Sequence, residues 1–399
     1  MDFSESRGFE PGKYLFKQLD WNPAGTFLRL VFTSHRGAGK STELNRLAKR
    51  LDHKYSVIYL ETNVELHSTT IEFEDLMLLL ALRVEAHMRE TVKKPLPKEA
   101  LVRVAQWFAE TIKTTSVGTA YQLETKAGVD LKAGVFAKLM FNLTALFKAE
   151  STHKEEVKET LKKFPGALLD AVNKLLDAAN ELLKESGKRL LIITDNMDHY
   201  NPVVIDDMIT RNADRLKELR CDFILTPPIS LIYRPQSETL DQNYKCFVMP
   251  TVKLRGQNDG YAVLRDPGLS QFLGALNKRM NVNKLIPDED AQKRLVWASG
   301  GAIRSLMEIV QDATLEADDV IGAADVERVI KRRQQRLRDR MNANGLVEVL
   351  RRIGRNKQLY EDPKCLDVLY QRLAFMYNDL GWYDIHPMLA DLPELEAPE

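Results

Sequence analysis

Lys40 and Ser41 follow Gly39 in FTSHRGAGKST, residues 32–42. An ammonium and a hydroxyl behind closely spaced glycines have the chemistry needed to hold a polyphosphate. The Lys40 charge can reach β- and γ-phosphate oxygens, and the Ser41 hydroxyl can ligate Mg²⁺. Backbone N–H groups of Arg36, Gly37, Ala38, Gly39, Lys40 and Ser41, with Thr42 at the start of the next helix, can turn inward on the phosphates. The window Ser34 to Ser41 matches G-x-x-x-x-G-K-[ST] except at its first position, where Ser34 stands for glycine. Gly37 and Gly39 keep the positions where the backbone turns most tightly, and a small polar Ser34 is expected to serve at the first. ATP with Mg²⁺ is the expected ligand.

A second group lies far downstream in RLLIITDNMDHY, residues 189–200. An apolar strand there ends on Asp195, and a carboxylate at a strand end beside a phosphate loop is what a second Mg²⁺ ligand requires. The elements that must position these groups are legible. TFLRLVFT at 26–33 is rich in β-branched and aromatic residues and follows the turn signal NPAG. After the loop, Leu44, Leu47, Ala48 and Leu51 recur at helical spacing. Strand, glycine-bearing loop and helix form the context that such a loop needs.

With both motifs in place, the chain resembles an AAA+-type P-loop ATPase, near the origin-recognition-like and STAND (signal-transduction ATPase) branches, over roughly 10–82 and 186–340. The resemblance implies an α/β fold with an ASCE-type P-loop NTPase parallel sheet, in which one strand, here taken as YSVIYLET at 55–62, separates the two motif strands. It implies a sensor at Thr226, at the tip of DFILT, and a second sensor at Arg304. Arg304 lies in WASGGAIRSLMEIV at 297–310, which looks like a lid helix opened by Gly300 and Gly301. Many such enzymes carry Glu directly after the strand-end Asp to orient the attacking water. This chain has Asn196, which cannot accept a proton as a carboxylate would, and Asp198 is the nearest substitute. Slow turnover, suited to a switch, is the expected consequence. Sites of this family usually lie at a subunit edge, which implies a homo-oligomer, with Arg234 as the candidate finger toward a neighbour's γ-phosphate. Bacterial STAND-like ATPases often serve as conflict or antiviral defence sensors.

The chain has 399 residues, enough for several domains, and its 57 basic residues balance 57 acidic ones. No global charge therefore argues for nucleic acid. Cys221, Cys246 and Cys365 lie far apart without a C-x-x-C pair, which disfavours a disulfide framework and suits a reducing cytosol. The first residues show no signal peptide, and a cytoplasmic protein is expected. The expected division is an ATPase core at 1–70 and 186–252, a mostly helical insertion at 71–185, a helical lid at 253–340 and a C-terminal winged-helix-like domain at 341–399.

Within the insertion, Phe73 to Met88, Leu101 to Ile112 and Val157 to Leu183 have helical apolar spacing. AYQLETKAGVDLKAGV alternates with a period of two, the mark of a half-exposed hairpin near 119–135. Such a hairpin would pack on the core or a neighbouring subunit, or, as the minority reading, enter a membrane after assembly. Seven basic residues between Arg328 and Arg340 are the nearest approach to a DNA-binding patch, and they stand against one acid, Asp339. Helical stretches at 345–354 and 363–375 precede two short aromatic-bearing strands around Asn378 and Asp379, an order that resembles a winged helix. Winged helices bind DNA in some proteins and protein partners in others, so a DNA-bound initiator or loader is the alternative to an assembly switch.

Overall fold

The computed structural model describes residues 2–8, 10–65, 70–113, 115, 142, 145, 152–234, 237–378 and 381–396. The fold is α/β, built on a parallel sheet of five strands. These are β1 (Arg29–Ser34), β2 (Tyr55–Glu61), β3 (Arg189–Asp195), β4 (Asp222–Leu225) and β5 (Lys245–Met249). Their spatial order is β2-β3-β4-β1-β5, and every neighbouring pair is parallel.

This order corrects one expectation. The strand between the two motif strands is β4, paired with β1 on one side and β3 on the other. Residues 55–61 instead form an edge strand outside β3. Its burial shows why: β2 is only partly covered along its length, whereas β1 and β4 are buried throughout. Interior strands of a parallel sheet are covered on both faces and read as continuous apolar runs.

Alternation along the strands sends side chains into two cores. Val31, Leu190, Ile192, Phe223 and Leu225 face a large core shared with helices Phe73–Glu90, Lys98–Thr111 and Pro165–Lys184. Leu30, Phe32, Leu191, Ile193 and Ile224 face Leu15, Leu19, Leu44 and Leu47 of two helices on the opposite side. The insertion helices thus form the cover of one sheet face. The apolar stripe from Val157 to Leu183 is carried by two helices, Thr152–Lys162 and Pro165–Lys184. Pro165 lacks an amide hydrogen and disfavours helical backbone at Phe164, which sits at φ −130° and ψ 50°. The expected hairpin near 119–135 lies outside the described residues.

Beyond β5, helices Gly268–Asn277, Glu289–Ala298, Ile303–Glu316 and Ala323–Ala343 share a separate core around Phe272, Leu295, Leu306 and Val329. Another core, around Leu350, Ile353, Val368 and Leu373, joins helices Val347–Asn356 and Pro363–Tyr370 to an antiparallel pair, β6 (Ala374–Met376) and β7 (Tyr383–Ile385). The helical stretch expected to reach residue 375 stops at Tyr370, and Arg372 turns the chain at φ 61° into β6. Helix Ala323–Ala343 ties the two cores together, because Leu337 packs against both.

Candidate nucleotide site

The site lies at the carboxyl ends of β1 and β3, the end of an open parallel sheet at which ligands bind. Ser34 is the last residue of β1 and is buried, with its hydroxyl 3.1 Å from the carbonyl of His35. Its backbone is extended with the strand, so the first motif position asks nothing here that only glycine provides. Positive φ occurs in the loop at Gly37 (85°) and Gly39 (104°) alone. A Cβ on Gly37 would stand 2.8 Å from the Cβ of Arg304.

Lys40 opens the helix Lys40–Arg50 and is buried, with Nζ 3.4 Å from Asp195 Oδ1 and 3.1 Å from Asp198 Oδ2. Asp195 also accepts from the Tyr59 hydroxyl and from the N–H of Asn196 at 2.8 Å, and the Ser41 hydroxyl bonds the same carboxylate. Burial alone would push the Asp195 carboxyl up. The Lys40 charge and the hydrogen bonds from Ser41, Tyr59 and Asn196 outweigh it and hold the group below the ordinary carboxylate range. Asn196 has left-handed backbone, φ 64°, which lets the chain turn sharply into Met197–His199 and brings Asp198 back over the loop. Asp198 is 5% exposed, and its Oδ1 is buried without a hydrogen-bond partner among the described residues.

Arg36 crosses the same turn. Its Nε donates to the backbone carbonyl of Asp198 at 2.6 Å, and its guanidinium lies 4.9 Å over the ring of Tyr370. His35 is fully buried, and its Nε2 accepts from the N–H of Met376 in β6 at 3.0 Å. Burial, followed by the nearby Arg372 charge, lowers the His35 imidazole to about 3, so it is neutral at physiological pH.

The lid meets the loop directly. Gly300 and Gly301 adopt φ 61° and 85°, and helix Ile303–Glu316 starts with the N–H of Arg304 donating to the Gly37 carbonyl at 3.1 Å. A cleft of about 240 Å³ results, lined by the loop, Asn196, Asp198, His199, Ile303, Arg304 and Arg279. Of the expected site residues, this arrangement gathers Arg36, Gly37, Ala38, Gly39, Lys40, Ser41, Thr42, Asp195, Asn196, Asp198 and Arg304.

Two expected residues lie elsewhere. Thr226 follows β4, is fully buried, and is not among the residues lining the cleft. Arg234 forms an ion pair with Asp206 of its own chain and borders a different cavity beside Tyr360. Four residues beside the loop and its acids escaped sequence reasoning. Arg7, whose Nη2 donates to the Ala38 carbonyl at 2.6 Å, and Arg279, in the turn after helix Gly268–Asn277, come from segments distant in sequence and carry no local signal. Tyr59 had a faint one, a hydroxyl near the end of an apolar strand, and His199 lies just past Asp198.

The donor set fits Mg²⁺. A small hard cation takes one or two carboxylates together with substrate phosphates, and Ser41, Asp195 and the uncompensated oxygen of Asp198 offer such donors beside a single lysine. No family model matches the chain, and no curated protein matches it. Among solved structures the chain is similar to a Walker-type ATPase of Pyrococcus abyssi, with 14% identity and a TM-score of 0.44 across 97% of this chain and 95% of that one.

Proposed function

We propose that the chain is a Mg²⁺-ATP-binding, slowly hydrolysing AAA+/STAND-like ATPase that acts as a nucleotide-dependent assembly switch. The observation that carries this reading is the lid contact: Arg304 belongs to a helix whose first turn is hydrogen-bonded to the phosphate loop. A γ-phosphate in the cleft would lie between Lys40 and Arg304, so its presence would be felt by the lid. Ser41 and Asp195 would hold Mg²⁺, which would neutralise charge on the phosphate oxygens when bound. Lys40 would turn from the two carboxylates to the β- and γ-phosphates. Asp198 would then be free to orient water from a position that Asn196 cannot serve chemically.

Slow hydrolysis follows from Asn196, which stands where a carboxylate would orient water and leaves that task to Asp198, two residues further on. A homo-oligomer with a protein partner is the assembly we favour, in a conflict or defence setting of the kind the resemblance suggests. The DNA-loader reading is weaker. Of the seven basic residues at 328–340, Arg328, Arg332, Arg333 and Arg338 are already paired with Glu316, Asp325, Asp312, Glu308 or Glu394. Light scattering with Mg²⁺-ATP and with Mg²⁺-ADP tests the switch. A larger species with ATP supports it, and one size in both nucleotides defeats it while leaving an ATPase reading open.

A further inference from the structure

A second cavity, of about 210 Å³, lies behind the lid helix, on the far side from the nucleotide cleft. Its walls come from the lid, from helix Ala323–Ala343 and from the turn into β6. Arg333, Arg336 and Arg340 recur on one face of that helix, and Arg372 faces them from the turn. Glu308 is the one acid in the lining. It and Asp312 are engaged with Arg333, at 3.6 Å and 2.7 Å. Among the described residues, Arg336, Arg340 and Arg372 have no carboxylate within ion-pair distance.

Burial pushes the Arg372 guanidinium down. Glu308 opposes that shift, whereas Arg340, Arg36 and Arg304 add to it by repulsion. His386 completes the wall. Burial and the nearby Arg372 and Arg333 charges lower its imidazole to about 3. Its Nδ1 accepts from the N–H of Met388 at 3.2 Å, which leaves the ring proton on Nε2 as a donor. Concentrated positive charge, forked donors and a neutral N–H donor in one concavity are what phosphate recognition requires.

We infer that this cavity binds a small phosphate-bearing anion, at a site separate from the nucleotide cleft and coupled to it through the lid. The assignment stands on the arginines and does not depend on the nucleotide reading. A duplex would lay its phosphates along an exposed basic stripe, whereas these cations converge on a hollow between three elements. Because Ser305 of the cavity wall adjoins Arg304 of the cleft, an anion here would bear on the same lid helix.

Equilibrium dialysis of labelled pyrophosphate against the full chain tests the inference, using wild type, Lys40→Ala, Arg336→Glu/Arg340→Glu and the combined variant. Arg336 and Arg340 are exposed, so the double substitution should fold. The expected result is a binding event that persists in Lys40→Ala and weakens by at least about tenfold in Arg336→Glu/Arg340→Glu, with Mg²⁺-ATP affinity changed by less than about threefold. Ser305→Glu, which sets a carboxylate in the wall and leaves every arginine in place, should weaken that event similarly. Pyrophosphate binding that Lys40→Ala alone abolishes, or that none of the cavity variants moves, overturns the assignment. So does a short DNA duplex whose binding needs Arg336 and Arg340 when pyrophosphate does not bind there.

Discussion

Asp195 and Asp384 are both buried carboxylates in strands, each beside a lysine, yet their surroundings differ in kind. Asp384 in β7 is fully buried and receives two cations, Arg255 and Lys357. The Tyr261 hydroxyl at 2.6 Å and the N–H of Ile385 at 2.9 Å complete its shell. One acid is met by two cations and two further donors, and nothing is left over. At the candidate nucleotide site the count runs the other way. One lysine serves two carboxylates, an Asp198 oxygen is unpartnered, and the cluster opens on a cleft. A buried polar group without a partner is costly in a rigid core. The first cluster fastens the C-terminal unit, and the second leaves a carboxylate oxygen unpartnered beside an open cleft.

The largest effect should come from breaking the satisfied cluster. Asp384→Ala strands Arg255 and Lys357, and urea unfolding should show a loss of about 3–5 kcal/mol. The folded fraction should keep its Mg²⁺-ATP affinity. Lys40→Ala should do the reverse in function, with ATP affinity falling about 100-fold or more by calorimetry, near 3 kcal/mol. It also leaves Asp195 and Asp198 facing one another without the cation between them, so the melting temperature should drop and partly recover on acidification, as one carboxylate takes a proton. Unchanged ATP affinity in folded Lys40→Ala would remove the functional half of the comparison.

Gly37→Ala comes next. Its φ of 85° and the 2.8 Å approach to the Arg304 Cβ should together cost about 1–3 kcal/mol and weaken ATP binding through a displaced lid. Ser34→Gly at the other end of the loop should stay within about 0.5 kcal/mol, because the strand backbone there does not need glycine. Equal costs at both positions would show that the lid contact does not shape the loop.

Effects of about tenfold separate the two acids. Asp195→Asn should weaken Mg²⁺-dependent ATP binding about tenfold, whereas Asp198→Asn should spare binding and lower turnover by a similar factor. Identical phenotypes would merge the two roles. Asp195 also predicts a pH signature. Its folded carboxyl titrates below the ordinary value, so its contribution to stability is present at neutral pH and is lost as pH falls through that lowered value. Asp195→Asn should flatten the acid limb of the stability profile.

Local chemistry made much of this site legible in the sequence. The glycines before Lys40 and the apolar run ending on Asp195 are each short motifs in which residue type and spacing state a backbone need directly. Most of the strands were likewise readable, because buried parallel strands are written as apolar runs. Their order was not. Whether residues 55–61 or 222–225 lie between the motif strands depends on which run is covered on both faces, and that is decided only when the helices pack.

The same limit explains the other differences. Arg234 and Thr226 stand at plausible places along the chain. A side chain's reach, however, is set by what it meets in space, and one meets Asp206 while the other is enclosed. The basic run at 328–340 reads as one charged stripe until Glu316, Glu308 and Asp312 are placed against Arg328, Arg332 and Arg333. Arg7 reaches the loop, Tyr59 reaches Asp195 and Arg279 reaches the cleft, each from a distant segment. By itself, the sequence determined the glycine turn before Lys40, the acid at the end of β3 and the α/β character, because those follow from backbone conformation and burial pattern over a few residues. The tertiary structure alone decided which charges neutralise one another and which remain free for a ligand, because electrostatic pairing depends on distances between segments that are remote along the chain.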